Sequence, residues 1–361
     1  MADANTIYFK PVYEQIAPAS LFLTNFFNFV RAHNSKEVEL DIVREEENLA
    51  PVVTDLHAGP VSQDDNLYTS KRIIPPIHLL EKSVSADDMY DRQPGVHPYD
   101  DPNFMMAATA QAAKKARTAH SSINRSIEYQ ASQVLTSGVV NLQDQNGNNA
   151  YTVDYKPKAS HFTTAGTAWD QVGADPIGDI KTMCETIRND GLSMPDTLVM
   201  GCKSFEAFIA NDAVQKRLDT RRIDMGNING MDEREDGSWY NGDLRIGNAK
   251  LAIWTYSGRY NPLGGGAKTQ FVPDDKVIVI DSRARMDATY GMQSTFSPMD
   301  PRVARYIPSR LTLRNGRSNV DMHLNAYLTP NNRQLIIEIG SRPLLQPVAI
   351  DKYGCITTGV T

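Results

Sequence analysis

The sequence predicts an α+β protein, built from one long helix, several strand hairpins and a mixed block of helices and strands. Small and apolar residues recur at steps of three and four from Met105 to Ile127, which predicts a helix over residues 102 to about 136. Residues 36–44 alternate between apolar and acidic side chains, which is typical of a half-buried strand. Helical and strand patterns alternate after Asp175, as in a mixed α/β unit.

Length, composition and charge exclude several classes of protein. The chain has 361 residues, of which 41% are hydrophobic and 22% are charged, and these values are typical of globular proteins. Its 37 basic and 43 acidic residues give a net charge of −6, which disfavours a free nucleic-acid binder with a basic stripe. The N-terminus lacks a secretory signal pattern, and the apolar stretch at residues 21–30 is only about half as long as a membrane span. We therefore expect no membrane partner.

Motifs for metal, nucleotide or covalent chemistry are incomplete. The three cysteines form no C-x-x-C pair and fit a reducing cytoplasm, and the seven histidines show no zinc-binding spacing. The glycine-rich residues 264–269 lack the glycine directly before lysine that a phosphate-binding loop requires. A cation, Arg234, occupies a ligand position of the calcium-like segment 232–237. Because no nucleophile elbow is present either, we predict no enzyme activity and no catalytic, cofactor-binding or metal-binding residue.

The first hundred residues predict arms with little core of their own. Phe22, Phe26 and Phe29 have helical spacing, which predicts a short docking helix. The strand at residues 36–44 and a second strand at residues 69–80, interrupted by Pro75-Pro76, flank a polar excursion of about twenty residues. Because such excursions are usually functional or disordered, we interpret residues 45–68 as the tip of an extended hairpin arm.

The long helix would begin with Asp101 as its cap and Pro102 in its first position. With about 34 residues it would span roughly 50 Å, and its alanine-rich stripe predicts packing against a sheet or along a surface. The opposite face carries charged side chains, namely Lys114, Lys115, Arg117, Arg125 and Glu128.

The rest of the chain predicts two further helices and a series of strands. Asp175-Pro176 opens one helix and Ser204 is predicted to cap the next, which continues into residues 214–218. Asn146-Gly147 is a tight-turn pair between two short strands. The predicted strands are residues 139–142, 150–155, 197–200, 244–246, 251–254, 277–280, 320–328, 334–339 and 344–350.

Four segments carry a resemblance to a known family. The most specific is Val214-Gln215-Lys216-Arg217-Leu218-Asp219-Thr220-Arg221-Arg222. The others are Pro18-Ala19-Ser20-Leu21-Phe22-Leu23-Thr24-Asn25-Phe26-Phe27, Tyr256-Ser257-Gly258-Arg259-Tyr260 followed by Phe271-Val272-Pro273-Asp274, and Ala288-Thr289-Tyr290-Gly291. In this order they resemble the lambda-type major capsid proteins of tailed bacteriophages, the phage major capsid protein E family. The resemblance covers about residues 15–350, although residues 45–98 and 225–243 align poorly.

The resemblance implies the Hong Kong 97-type capsid fold. Residues 1–35 would form the N-arm and residues 36–86 the extended E-loop hairpin. Residues 87–172 would form the peripheral domain, with the long helix as its spine, and residues 173–330 the α/β axial domain. Residues 331–361 would return as strands toward the peripheral and axial sheets.

The resemblance also implies a function. Copies would assemble as hexamers and pentamers into an icosahedral head in the host bacterial cytoplasm, and would remain in the virion capsid. The implied partners are the chain itself, a scaffolding protein, the portal, and packaged double-stranded DNA that is enclosed without sequence-specific binding. A decoration protein is plausible by analogy, although no residue indicates one. Two alternatives are a nanocompartment (encapsulin-like) shell protein of the same fold and a soluble α/β enzyme with an unrecognised site.

A shell subunit needs contacts between copies, and charged residues are the candidates for them. Each candidate is weighed against a solvated charge, which is the commoner role of surface charges. The candidates are Glu45, Glu46, Glu47, Lys71, Arg72, Lys114, Lys115, Arg117, Arg125, Asp219, Arg221 and Arg222.

Overall fold

The structure is a computed structural model of the whole chain. It describes residues 21–33, 37–44, 67–85, 104–218, 226–227, 232–233, 237–291, 322–328 and 334–360. Its helices are α1 (Phe104–Ser137), α2 (Pro176–Gly191), α3 (Cys202–Ala210) and α4 (Asp212–Leu218), with short 3₁₀ helices at Leu23–Phe26, Ala159–His161 and Ile350–Lys352. No helix in these residues is both long and apolar enough to span a membrane.

Twenty strands complete the described part of the chain. They are β1 (Phe29–Ala32), β2 (Val38–Arg44), β3 (Leu67–Ile73), β4 (His78–Ser85), β5 (Val139–Gln143), β6 (Asn149–Asp154), β7 (Phe162–Thr164), β8 (Thr197–Met200), β9 (Gly226–Asn227), β10 (Asp232–Glu233), β11 (Ser238–Ile246), β12 (Ala249–Tyr256), β13 (Arg259–Tyr260), β14 (Thr269–Gln270), β15 (Lys276–Ile280), β16 (Asp287–Tyr290), β17 (His323–Leu328), β18 (Gln334–Ser341), β19 (Pro343–Gln346) and β20 (Tyr353–Thr357).

The largest sheet has the strand order β10-β11-β12-β8-β15-β20-β7, with β9 also paired to β11. Its central strands β8 and β15 are buried on both faces, and their side chains alternate between two cores. Val277 and Val279 join the core that holds α2 and α3, whereas Ile278 and Ile280 join the core that holds α1. The sheet is therefore a middle layer, with helices packed on each side.

Helix α1 packs against strands of four sheets. Its stripe of small residues, Ala112, Ala116, Ala119 and Ala131, is fully buried, and their size lets the helix lie close to β4, β18 and β19. The sheets it contacts are the large sheet, β1-β16-β19, β17-β18-β4 and β5-β6. The chain passes from the third to the second of these between β18 and β19, where Arg342 accepts a backbone hydrogen bond from Gly291.

Most predicted elements are present, and the differences concern two helix boundaries and several strands. Phe29 was expected in a helix, but the 3₁₀ helix ends at Phe26 and Phe29 begins strand β1. Ser204 was expected to cap α3, but the helix begins at Cys202, and the Ser204 hydroxyl instead bonds the carbonyl of Asp274. Strands β1, β7, β9, β10, β13, β14, β16 and β20 were not predicted. Residues 69–80, predicted as one interrupted strand, belong to the two strands β3 and β4. The partners of Phe29 and Ser204 lie far away in the sequence.

Gly201 shows why α3 begins where it does. A Cβ atom at this position would overlap the backbone carbonyls of Pro273 and Asp274. The absence of a side chain lets the start of α3 lie directly against the loop before β15. The three cysteines, Cys184, Cys202 and Cys355, are free, and the first and last are buried.

Candidate functional site

The described residues contain no group of three His, Cys, Asp or Glu side chains that could hold a metal ion. An open cleft of about 930 Å³ lies between residues 169–174 and helices α3 and α4. Both signs of charge line it, Lys203 and Lys216 with Glu206 and Asp212, and none of its described lining residues is a histidine or cysteine.

The β2–β3 hairpin is the first candidate for contact with another molecule. Its strands pair over seven residues, from Val38 opposite Ile73 to Arg44 opposite Leu67, and form a two-stranded sheet of their own. Val38 and Ile73 are buried at its base. An isolated two-stranded hairpin is only marginally stable in water, so the far end of this hairpin needs a partner.

Helix α1 carries a face with three exposed cations. Lys114, Arg117 and Arg125 are exposed, and at 100° per residue they lie within an arc of about 80°. None of the three forms an ion pair within the described part of the chain. Lys115 is different, because its ammonium group donates to the carbonyl oxygen of Ser83 at 2.6 Å and thereby links α1 to β4.

Glu128 anchors the N-terminal segment to α1. Its carboxylate accepts hydrogen bonds from the Leu23 amide at 2.8 Å, the Thr24 amide at 3.0 Å and the Thr24 hydroxyl at 2.6 Å. Tyr256 donates a further bond. The carboxylate thus satisfies free N–H groups at the start of the 3₁₀ helix, as an N-cap would, but from a residue about a hundred positions away.

The Glu128 side chain is fully buried, and none of the described lysines or arginines forms an ion pair with it. Burial raises the pKa of this carboxyl group, and the four donated hydrogen bonds oppose the rise. The sequence placed Glu128 on the charged face of α1, within the same arc as Lys114 and Arg117. That placement on the helix is correct, but the N-terminal segment covers this part of the face, so the expectation of an exposed charge was wrong.

Aromatic packing fixes the same segment from the other side. Phe22 lies with its ring centroid 5.5 Å from that of Phe26, 5.6 Å from that of Trp254 and 5.4 Å from that of Tyr256. Leu23 is completely buried. The segment before β1 is therefore held by α1 and by β12 together.

Comparison with known proteins identifies the family. The family model described as phage major capsid protein E matches residues 12–350 of this chain. The chain belongs to the phage major capsid protein E family. No individual curated protein matches the sequence.

The fold of this capsid protein is similar to those of two solved proteins. One is described as a capsid protein of a prophage in Escherichia coli CFT073, with 14% identity, a TM-score of 0.67 and coverage of 99% of both chains. The other is a phage-related protein from Bordetella bronchiseptica RB50, with 11% identity, a TM-score of 0.54 and coverage of 100% of this chain and 98% of that chain. At these identities the likeness shows the fold, which is the predicted Hong Kong 97-type capsid fold.

Family membership establishes the general function. The protein is a major capsid protein, which assembles with copies of itself into the icosahedral shell of a phage head, and it resides in the virion capsid. It is a structural protein and not an enzyme. The nanocompartment reading of the same fold is disfavoured, since the matching family is that of phage capsids.

The structure places only some of the predicted contact residues. Four of them lie on α1, namely Lys114, Lys115, Arg117 and Arg125. Arg72 lies on β3 and is exposed. Lys71 lies on β3 opposite Leu40, and its side chain lies outside the described part. Glu45, Glu46, Glu47, Asp219, Arg221 and Arg222 lie outside the described residues. Sequence reasoning missed the role of Glu128, because nothing in the sequence distinguishes it from the other charged residues on that face of α1.

Proposed function

We propose that the capsid protein forms hexamers and pentamers in which the hairpin of each copy extends over a neighbouring copy. The observation that carries this proposal is the β2–β3 hairpin, whose two strands pair with each other and with no other described strand. In this proposal residues 1–35 act as N-arm and residues 36–86 as E-loop. Residues 87–172 form the peripheral domain, residues 173–330 the axial domain, and residues 331–361 the returning strands.

The acidic run Glu45-Glu46-Glu47 directly follows β2, and we propose that it meets the cationic face of α1 on the neighbour. Lys114 and Arg125 are eleven residues apart, which corresponds to about 16 Å along the helix. An extended segment of about five residues spans a similar length, and the three acids alone span about 10 Å, enough to face Lys114 and Arg117 together. Each exposed ion pair contributes about 0.2–1 kcal/mol, so the contact is individually weak and becomes effective when it is repeated around the shell.

Further partners follow from the family and from the charge of the chain. A separate scaffolding protein would direct assembly in the bacterial cytoplasm, and the portal would occupy a vertex of the shell. Packaged double-stranded DNA would be enclosed without sequence-specific binding. The net charge of −6 supports this, because an acidic wall repels the DNA backbone and leaves the genome free to move during packaging.

The hairpin proposal is tested by proteolysis of the two states of the protein. In unassembled subunits a protease should cut between residues 45 and 66, and assembly into shells should protect these bonds. Cleavage at the same rate in both states would contradict a contact between copies.

The ion-pair proposal is tested by charge reversal with rescue. The double variant K114E/R117E should lower the yield of shells, and adding E45K/E46K should restore it. The matched control is K156E/K268E, because these lysines are also exposed and, like Lys114 and Arg117, form no ion pair within the described part of the chain. Equal loss in the control, or no rescue by the acidic-run variant, would contradict the pairing.

A further inference from the structure

Exposed apolar side chains concentrate in one part of the described surface. Five of the seven large ones belong to β1, to the segment that joins β3 to β4, and to the start of β4. We call them the β1–β4 strip, which consists of Phe29, Val30, Ile74, Ile77 and Leu79. Their exposed fractions lie between 44% and 64%.

The two parts of the strip meet at the ends of β1 and β16. The His33 amide donates to the Tyr290 carbonyl at 2.9 Å, so β1 ends beside Gly291. A Cβ atom at Gly291 would lie 3.4 Å from the ring of Pro75, so the segment with Ile74 and Ile77 begins at the same place. The strip therefore runs from the end of β1 to the start of β4, and it borders both faces of β1, because Phe29 and Val30 lie on opposite sides of the strand.

Within the described part of the chain, no strand pairs with the outer hydrogen-bonding edge of β1. It pairs in parallel with β16 and forms the outer strand of its sheet. The amides of Phe29 and His33 donate to the carbonyls of Met286, directly before β16, and of Tyr290, at its end. Because alternate residues of a strand direct their backbone groups to opposite sides, the N–H and C=O groups of Val30 and Ala32 point away from β16.

Both faces of β1 are exposed as well, which is unusual for a strand in a folded domain. All four of its residues are exposed, while every residue of its partner β16 is buried. On one face Arg285 lies over the Phe29 ring at 5.5 Å and Arg31 pairs with Asp287 at 3.1 Å. An exposed apolar edge strand is a site at which another chain adds a strand.

We propose that the β1–β4 strip is a contact surface for a second copy of this chain, which adds an extended segment to the outer edge of β1. The area of the strip favours this occupant. With about 180 Å² for each large side chain, the exposed apolar surface is roughly 480 Å². A stable pairwise interface needs about 800 Å² from each partner, so the strip suits a contact that is completed by other contacts in a lattice of copies.

The proposal rests on the shell function, and amide hydrogen exchange, measured residue by residue, tests it on the full chain. The amides of Val30 and Ala32 should exchange rapidly in unassembled subunits and at least about 100-fold more slowly in shells. The amides of Phe29 and His33 are internal controls, because they bond β16 within one chain and should be protected in both states. Rapid exchange of Val30 and Ala32 in shells would overturn the proposal. Protection already in unassembled subunits would assign the edge to a segment of the same chain and overturn it equally.

A matched pair of variants provides the second test. Val30→Asp should lower the yield of shells at least about tenfold, because an unpaired carboxylate would be buried in each contact. Val172→Asp changes another exposed valine, outside the strip, and should leave the yield close to that of the wild type. Equal yields for the two variants would overturn the proposal while the wild type still forms shells. If the wild type, expressed with its neighbouring phage genes, formed no shells, the shell function would fail, and this proposal with it.

Discussion

The Glu128 anchor yields a prediction whose size follows from the hydrogen bonds. In Glu128→Ala the donors from Leu23, Thr24 and Tyr256 lose their shared acceptor inside the protein. Each buried donor left without a partner costs about 1–3 kcal/mol. Removing a buried carboxyl group also removes its own desolvation cost, which offsets part of this loss of stability. We therefore expect the free energy of unfolding to fall by about 2–4 kcal/mol.

Glu128→Gln separates the hydrogen bonds from the shape of the side chain. The amide keeps one acceptor oxygen but places an NH₂ group opposite the donors of Thr24 or Leu23, so we expect a loss between that of the alanine variant and zero. Denaturant unfolding of the unassembled subunit measures both losses. Exchange of the Leu23 and Thr24 amides measures release of the segment.

An exposed acid provides the control for the anchor. Glu185 on α2 has 61% of its side chain accessible, and Glu185→Gln should change the free energy of unfolding by less than about 0.5 kcal/mol. The reasoning would be refuted if Glu128→Ala cost less than about 1 kcal/mol and left the Leu23 and Thr24 amides fully protected.

Three further predictions follow from individual contacts. Hydrogen bonds from Lys158 and His161 lower the pKa of Asp190 against the opposing effect of partial burial. The ionised Asp190 therefore stabilises the protein at pH values above the ordinary carboxyl pKa. This stabilisation is lost as the pH falls through the lowered pKa of Asp190. Asp190→Asn should remove this acid-dependent loss in unfolding curves recorded at several pH values, and an unchanged pH profile would contradict it. Gly201→Ala should destabilise by about 1–3 kcal/mol through backbone overlap, whereas Gly166→Ala, with open space around it, should be nearly neutral in the same unfolding assay. Phe22→Ala should cost about 3–5 kcal/mol in that assay, and a cost no greater than that of the half-exposed Phe29→Ala would count against the aromatic anchor.

Local sequence patterns predicted the elements whose buried residues repeat with the period of a helix or a strand. The alanine stripe of α1 and the apolar runs of β8 and β15 report burial directly, because helices and strands repeat with fixed periods. Residues 69–80 were predicted as one strand interrupted by Pro75-Pro76, but they belong to two strands of different sheets, because prolines cannot donate to a strand ladder and the chain changes partner there.

Residues with distant partners could not be predicted in this way. Ser204 has the chemistry of a helix cap, yet its hydroxyl bonds Asp274, which lies 70 residues later. Glu128 has the pattern of a solvated helix charge, yet a segment 104 residues earlier covers it. Local propensity describes what a residue can do, and the tertiary fold decides which partner it receives.

The burial of the cysteines has a consequence for the life of a virion outside the cell. Burial raises the pKa of Cys184 and Cys355 to about 12, and it also raises the pKa of Cys202. At neutral pH only about one buried thiol in 10⁵ is then ionised, and the thiolate is the form that oxidants and disulfides attack. Outside the cell no reducing system repairs oxidised sulfur. The two buried thiols, Cys184 and Cys355, are therefore poor targets for oxidation in every copy of the shell.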